Sequence, residues 1–137
     1  KIQSQSTSNP TSISQKAAIE AYNGPQDFIA MVLPAFDERR RYIVKALNNI
    51  PGVSCFTPTG AFYAFPQVKE LLSRNFNGQP VESSLNLCAL LLDEAKIAAV
   101  PGEAFGAPGY LRLSYATSLG NIKNGMERLA DFVKRLG

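Results

Sequence analysis

Apolar and polar positions follow two periods along this chain, and the period changes wherever Gly and Pro cluster. Residues 1–14 have no apolar period; they are rich in Ser, Gln, Thr and Asn and read as a loop or frayed arm. Thr11, Ser12 or Ser14 can cap a helix favoured by Ala17, Ala18 and Ala21, and Asn23-Gly24-Pro25 stops it. From Asp27, the residues Phe28, Ile29, Val32, Phe36, Ile43, Val44 and Leu47 keep helical spacing to about Asn49. Pro34 lies inside this stretch and predicts a kink or a break, because proline removes a hydrogen bond and crowds the preceding turn. Ile50-Pro51-Gly52 ends the helix.

The pattern then shortens. Residues 53–57 and 61–65 read as two strands around the turn Pro58-Thr59-Gly60, and adjacency predicts that they pair antiparallel. A short helix over 68–73 and a turn at Asn77-Gly78 lead to a helix capped by Ser83 or Ser84, with a stripe of Leu85, Leu87, Cys88, Leu91 and Leu92. It ends near Glu94 or Ala95. Residues 97–100 form an apolar strand, 101–106 a loop, and 110–116 another strand. The last helix is the clearest: Ser118 caps it, and Leu119, Ile122, Met126, Leu129, Val133 and Leu136 recur at helical spacing. Helices at both ends with short strands between them imply an α+β fold, a two-layer sandwich whose small mixed or antiparallel sheet is covered by helices on one face. The division expected is an arm and short helix over 1–24 and a compact domain over 25–137.

In the strand over 110–116, a period of two puts Leu111, Leu113 and Tyr115 on one face and Tyr110, Arg112, Ser114 and Ala116 on the other. If the apolar face packs on the helices, Arg112 is held on a rigid element and points away from them. Its planar fork of donors then suits a carboxylate, which it meets in two parallel hydrogen bonds. From spacing alone, a lone arginine in mid-strand is more often a solvated or ion-paired residue.

Composition narrows the classes. With 137 residues, 45 % hydrophobic and 18 % charged, the chain is an ordinary globular domain able to bury a core. The net charge of +3 is mild, and the one basic cluster, Arg39-Arg40-Arg41, spreads around a helix as solvated surface, so nucleic acid is not an expected partner. Neither a membrane-spanning run nor a signal peptide is present in these residues, which makes the cytoplasm the default expectation. With no histidine, Ser-His and Cys-His nucleophile schemes and zinc chemistry lack their usual parts. Cys55 and Cys88 read as core thiols, and no metal ligand is expected.

Five segments carry a resemblance: Ser8-Asn9-Pro10-Thr11, Pro51-Gly52-Val53, Gly60-Ala61-Phe62-Tyr63, the run from Val100 to Gly106 (Val-Pro-Gly-Glu-Ala-Phe-Gly), and Leu111-Arg112-Leu113-Ser114-Tyr115-Ala116. In this order and spacing the chain resembles, over its whole length, the C-terminal part of aspartate aminotransferases, members of the class I/II pyridoxal-phosphate-dependent aminotransferases of fold type I. The resemblance implies a small domain that closes over substrate, with pyridoxal 5'-phosphate bound by a larger N-terminal domain that is absent here. The cofactor-bearing lysine belongs to that domain; Lys1 and Lys16 lack its Ser-Lys setting, so no catalytic or cofactor-binding residue is assigned within this chain. Arg112 corresponds to the arginine that binds the substrate α-carboxylate. Phe62 and Tyr63 match positions beside the substrate, although either is also what a strand core wants. Ser8 and Asn9 match a segment that approaches the partner subunit in the family's homodimer. Where some aspartate aminotransferases carry an arginine for the second substrate carboxylate, this chain has Ser4, a departure that leaves aspartate specificity open unless a lysine in the larger domain makes that contact. The expected partners are amino acids and 2-oxo acids, with this segment alone inactive. The alternatives are a stand-alone carboxylate-binding module and a dimerisation module, neither doing chemistry.

Overall fold

The computed structural model describes residues 2–137. Five α-helices and five short strands are found there: α1 (Ile2–Thr7), α2 (Ser12–Asn23), α3 (Asp27–Asn48), β1 (Tyr63–Ala64), β2 (Asn75–Phe76), β3 (Gln79–Pro80), α4 (Ser84–Ala95), β4 (Val100–Pro101), β5 (Leu111–Ser114) and α5 (Leu119–Lys134). The chain divides into two compact units, one running to Pro34 and one from Ala35 to Gly137.

In the first unit, residues 2–7 are helical rather than a loop, which corrects the reading of a frayed arm. A missing apolar period shows only that a segment has no buried stripe; it leaves local backbone bonding free to form, and the Ser6 hydroxyl reaches the Gln3 carbonyl oxygen at 3.4 Å. The Thr11 hydroxyl accepts from the Ser14 amide and caps α2, and the Gly24 amide closes its end on the Glu20 carbonyl. No residue of α2 is buried. At Pro34 the helix α3 is not broken, contrary to one of the two expected outcomes; one lost donor leaves the bonds on either side to carry a helix of 22 residues through.

In the second unit, Ile43, Val44 and Leu47 of α3 join α4, α5 and the inner face of β5 in one core. The sheet has the order β1-β5-β4 and is antiparallel throughout, with Tyr63 opposite Ser114, Ala64 opposite Leu113 and Val100 opposite Arg112. The fold is α+β, as the pattern implied. The strand pairing is not the expected one. Residues 53–57 do not run beside 61–65; β1 pairs with β5, and only Ser54 makes a bridge, to Gln67. Asn48 supplies the reason, since its side-chain amide donates to the Cys55 carbonyl at 2.9 Å and accepts from the Cys55 amide at 2.8 Å. With both backbone groups of Cys55 taken from the side, no ladder can grow there.

Three smaller corrections have local causes. The helix expected over 68–73 is a 3-10 turn, Lys69–Leu71, and Asn77-Gly78 (φ 51° and 83°) turns a hairpin of β2 and β3 that the pattern did not announce. Residues 97–99 follow the left-handed cap of α4 at Lys96, so the strand expected there begins only at Val100. Leu85 and Leu92 are exposed, while Ser84, Leu87, Cys88, Leu91 and Ala95 form the buried stripe of α4. Positions 84, 87, 88, 91 and 95 share one helix face, whereas 85 and 92 lie about 100° further round. Ser83 and Ser118 cap α4 and α5 as expected, and Ile122, Met126, Leu129, Phe132 and Val133 bury the inner face of α5.

Candidate functional site

The central strand of the sheet, β5, separates two environments. Leu111 and Tyr115 are each 1 % exposed and Leu113 5 %, all within the core. Arg112 points the other way and is half-buried. β5 is flanked by β1 and β4, and Arg112 lies directly opposite Val100 of β4. Its guanidinium sits between two rings, 4.5 Å from the centroid of Tyr63 and 4.8 Å from that of Phe105. Among the described residues no carboxylate pairs with it: the ion pairs are Arg40 and Arg41 with Asp37, Lys134 with Asp131, and Arg135 with Glu94. A cation clamped between aromatic faces, partly desolvated and without a counter-charge among the described residues, has the chemistry to accept an anion from outside.

Tyr63 is thus brought to Arg112 directly, and Phe62 only through Tyr63, the two rings standing 4.6 Å apart at 46°. The turn beneath them is pinned from the core side. The Tyr115 amide donates to the Phe62 carbonyl at 2.9 Å, and its hydroxyl donates to the Ala61 carbonyl at 3.1 Å, where Ala61 has φ 57°. Burial raises the Tyr115 phenol above its ordinary pKa, so the hydroxyl stays protonated and keeps donating. Ser8 and Asn9 lie exposed between α1 and α2.

Phe105 is the residue that sequence reasoning missed. It was visible inside the segment Val100–Gly106 but had no role there. Behind it, Phe65 meets its edge at 6.0 Å and stacks on Tyr110 at 5.2 Å, and the Gln67 side chain donates to the Tyr110 hydroxyl at 2.9 Å. Tyr63, Phe65 and Gln67 alternate along one segment while Tyr110 and Arg112 alternate on the way into β5, so a shared parity was the available signal for these neighbours, but not for Phe105, which lies in the turn outside both segments.

The remaining reactive groups are committed elsewhere. Asp37 accepts from the Arg40 guanidinium, and that bond, with Arg41 nearby, holds its carboxyl below the usual carboxylate range. Cys55 and Cys88 are buried and free; burial pushes both thiols up, Cys88 to about 11 with Glu103 adding to the effect. Among the described residues no group of three side chains is placed to hold a metal ion.

The family model described as "Aminotransferase class I and II" matches residues 1–129. The chain is 46 % identical over 134 residues to an aspartate/prephenate aminotransferase of Nitrosomonas europaea, covering 96 % of this chain and 34 % of that protein. It is 44 % identical over 136 residues to an aspartate aminotransferase of Rhizobium meliloti, covering 98 % and 33 %. The crystal structure of an aspartate aminotransferase from Rhizobium meliloti superposes with a TM-score of 0.89 at 43 % identity, over 99 % of this chain and 34 % of that one. An alanine aminotransferase from Pyrococcus furiosus gives 0.79 at 31 % identity, over 91 % and 30 %. The chain therefore spans about a third of the length of the curated relatives it matches.

Proposed function

The chain belongs to the aminotransferase class I and II family, whose members are pyridoxal-phosphate enzymes, and from that premise we propose that it is the C-terminal small domain of an amino acid aminotransferase of the aspartate type. Residues 1–24 serve as the arm and short helix between domains, and 25–137 as the small domain. The reaction proposed for the whole protein is L-aspartate with 2-oxoglutarate giving oxaloacetate and L-glutamate. The observation that carries the reading is Arg112, clamped between Tyr63 and Phe105 without a carboxylate partner among the described residues.

Pyridoxal phosphate does not fit this chain on its own. Every described lysine is exposed: Lys16, Lys45, Lys69, Lys96, Lys123 and Lys134. Lys1 lies outside the described residues. None of the six has the enclosed setting in which an amine would be held against a cofactor carbonyl. The cofactor is therefore assigned to the part of the protein beyond these residues, and this chain's share is to bind and orient substrate. Arg112 takes the α-carboxylate in two charge-assisted hydrogen bonds, while Tyr63, with Phe62 behind it, limits where the rest of the molecule lies.

Ser8 and Asn9 are proposed to reach a second subunit of a homodimer. No described helix is long and apolar enough to cross a membrane, and a cytoplasmic protein is proposed. The test is aminotransfer by the full-length protein from aspartate, alanine and phenylalanine to 2-oxoglutarate, before and after replacement of Arg112. Aspartate as the preferred donor, with its turnover lost in Arg112→Leu, supports the reading; unchanged turnover in that variant removes the site assignment.

A further inference from the structure

Phe105 stands in a 3-10 turn, Gly102–Phe105, that is tied at its start to the chain leading into β5 and, through a side chain, to helix α4. At its start, the Gly102 amide donates to the Tyr110 carbonyl at 2.8 Å and its carbonyl accepts from the Ala107 amide at 2.9 Å. A Cβ on Gly102 would overlap the Ala107 carbonyl oxygen, so only glycine lets the turn lie this close to the chain returning into β5. The second tie is a side chain. Glu103 Oε1 accepts from the backbone amide of Ser84, the first residue of α4, at 3.1 Å. Ser84 is wholly buried, and its hydroxyl accepts from the Gly109 amide at 2.8 Å. One serine thus holds the segment from Glu103 to Gly109 at both ends, through its amide and through its hydroxyl.

The acid is well suited to this place. A helix start presents unpaired amides and a partial positive charge, and a carboxylate there gains from both. The elevated Cys88 thiol, one turn into α4, registers the same negative charge after burial. In a helix of three residues per turn, side chains at 103 and 105 diverge by about 120°. When one is fastened to α4, the other is turned out toward β5, where the Phe105 ring covers Arg112.

We propose that Glu103 is a positioning residue: by fastening the Gly102–Phe105 turn to the first turn of α4, it holds the Phe105 ring on the Arg112 guanidinium and so sets the direction in which that arginine meets a carboxylate. The final step rests on the reading of Arg112 given above; the fastening itself does not.

The experiment uses the full-length protein labelled with nitrogen-15 in its arginine side chains. The Arg112 Nε–H resonance, identified by its absence in Arg112→Lys, should be shifted by the ring currents of Tyr63 and Phe105, and part of that shift should vanish in Phe105→Leu. Glu103→Ala should move it as Phe105→Leu does. Glu103→Gln, whose amide oxygen can still accept from Ser84, should leave it near the wild-type position. In the same series KM for the amino acid donor should rise roughly two- to fivefold in Glu103→Ala, with kcat changed less, and return in Glu103→Gln. An unmoved resonance in Glu103→Ala overturns the fastening whatever the kinetics. A moved resonance combined with an unchanged KM in Arg112→Leu overturns the carboxylate step and leaves the fastening standing.

Discussion

The two faces of β5 carry side chains under opposite physical demands. Toward the helices, Leu111, Leu113 and Tyr115 are nearly inaccessible and belong to a core shared with α4 and α5. Across the strand, one residue away in either direction, Arg112 lies half-buried between two rings, and among the described residues no acid pairs with it. The inner face can be read as pure burial, each side chain stabilising the fold in proportion to the apolar area it removes from water. The outer face contributes little to folding; a desolvated cation is tolerated there because the strand and the rings hold it. Under the proposed function, stability and binding are thus separated by the pleat of a single strand.

The largest expected effect breaks that separation at its outer side. In the full-length protein, Arg112→Leu should remove a desolvated, bidentate charge pair worth roughly 2–5 kcal/mol and lower kcat/KM by orders of magnitude, while the melting temperature hardly moves. Arg112→Lys keeps the charge without the planar fork and should recover only part of the loss. A marked drop in melting temperature with near-normal kinetics would mean that the arginine serves the fold.

On the inner side the pattern should reverse. Leu113→Ala opens a cavity in the core and should destabilise by about 2–5 kcal/mol, read as a lower melting temperature, while the KM of the protein that remains folded stays close to wild type. A KM change comparable to that of Arg112→Leu would show that the two faces are mechanically coupled.

Tyr115 offers a sharper test because it serves both sides. Tyr115→Phe leaves the ring in the core but removes the hydroxyl that holds the Ala61 carbonyl beneath Tyr63. A loss of about 1 kcal/mol in stability is expected, together with a small rise in KM from the loosened Tyr63 turn. A stability change without any effect on KM would confine the outer site to β5 itself.

The smallest effect concerns pH and lies in the helix layer. The Cys88 thiol is raised from 9.0 to about 11, so the folded state favours the protonated form. Its contribution to stability is complete below about pH 9, the unfolded value, and is lost as pH rises toward 11, since the unfolded chain ionises first. Melting temperatures measured from pH 8 to 11 should fall more steeply in wild type than in Cys88→Ala, with Cys55, also raised, adding a weaker slope in both. Identical slopes would remove the link. Iodoacetamide at pH 8 should correspondingly label Cys88 only after unfolding.

Much of this is legible in the sequence. The alternation across 111–115 announced both faces of β5, and the caps at Ser83 and Ser118 and the stripe of α5 followed from local rules that depend on a few neighbouring residues. The leucines of α4 show the limit of such rules: Leu85 and Leu92 are as apolar as Leu87 and Leu91, yet they lie exposed, because Ser84 and Ala95 sit on the face the core uses.

What the sequence determined by itself is whatever a residue's own chemistry and its near neighbours decide: the period of each element, its capped ends, and an arginine on the polar side of an apolar strand. Only the tertiary structure decided which strand lies beside which. The 53–57 segment lost its expected partner because Asn48, from the preceding helix, took both backbone groups of Cys55. The same holds for the arginine's surroundings. Phe105 reaches Arg112 because a turn is anchored through Glu103 to Ser84, 19 residues away in the chain. Contacts of that separation depend on where whole elements come to rest, a sum over the entire core that no local period contains.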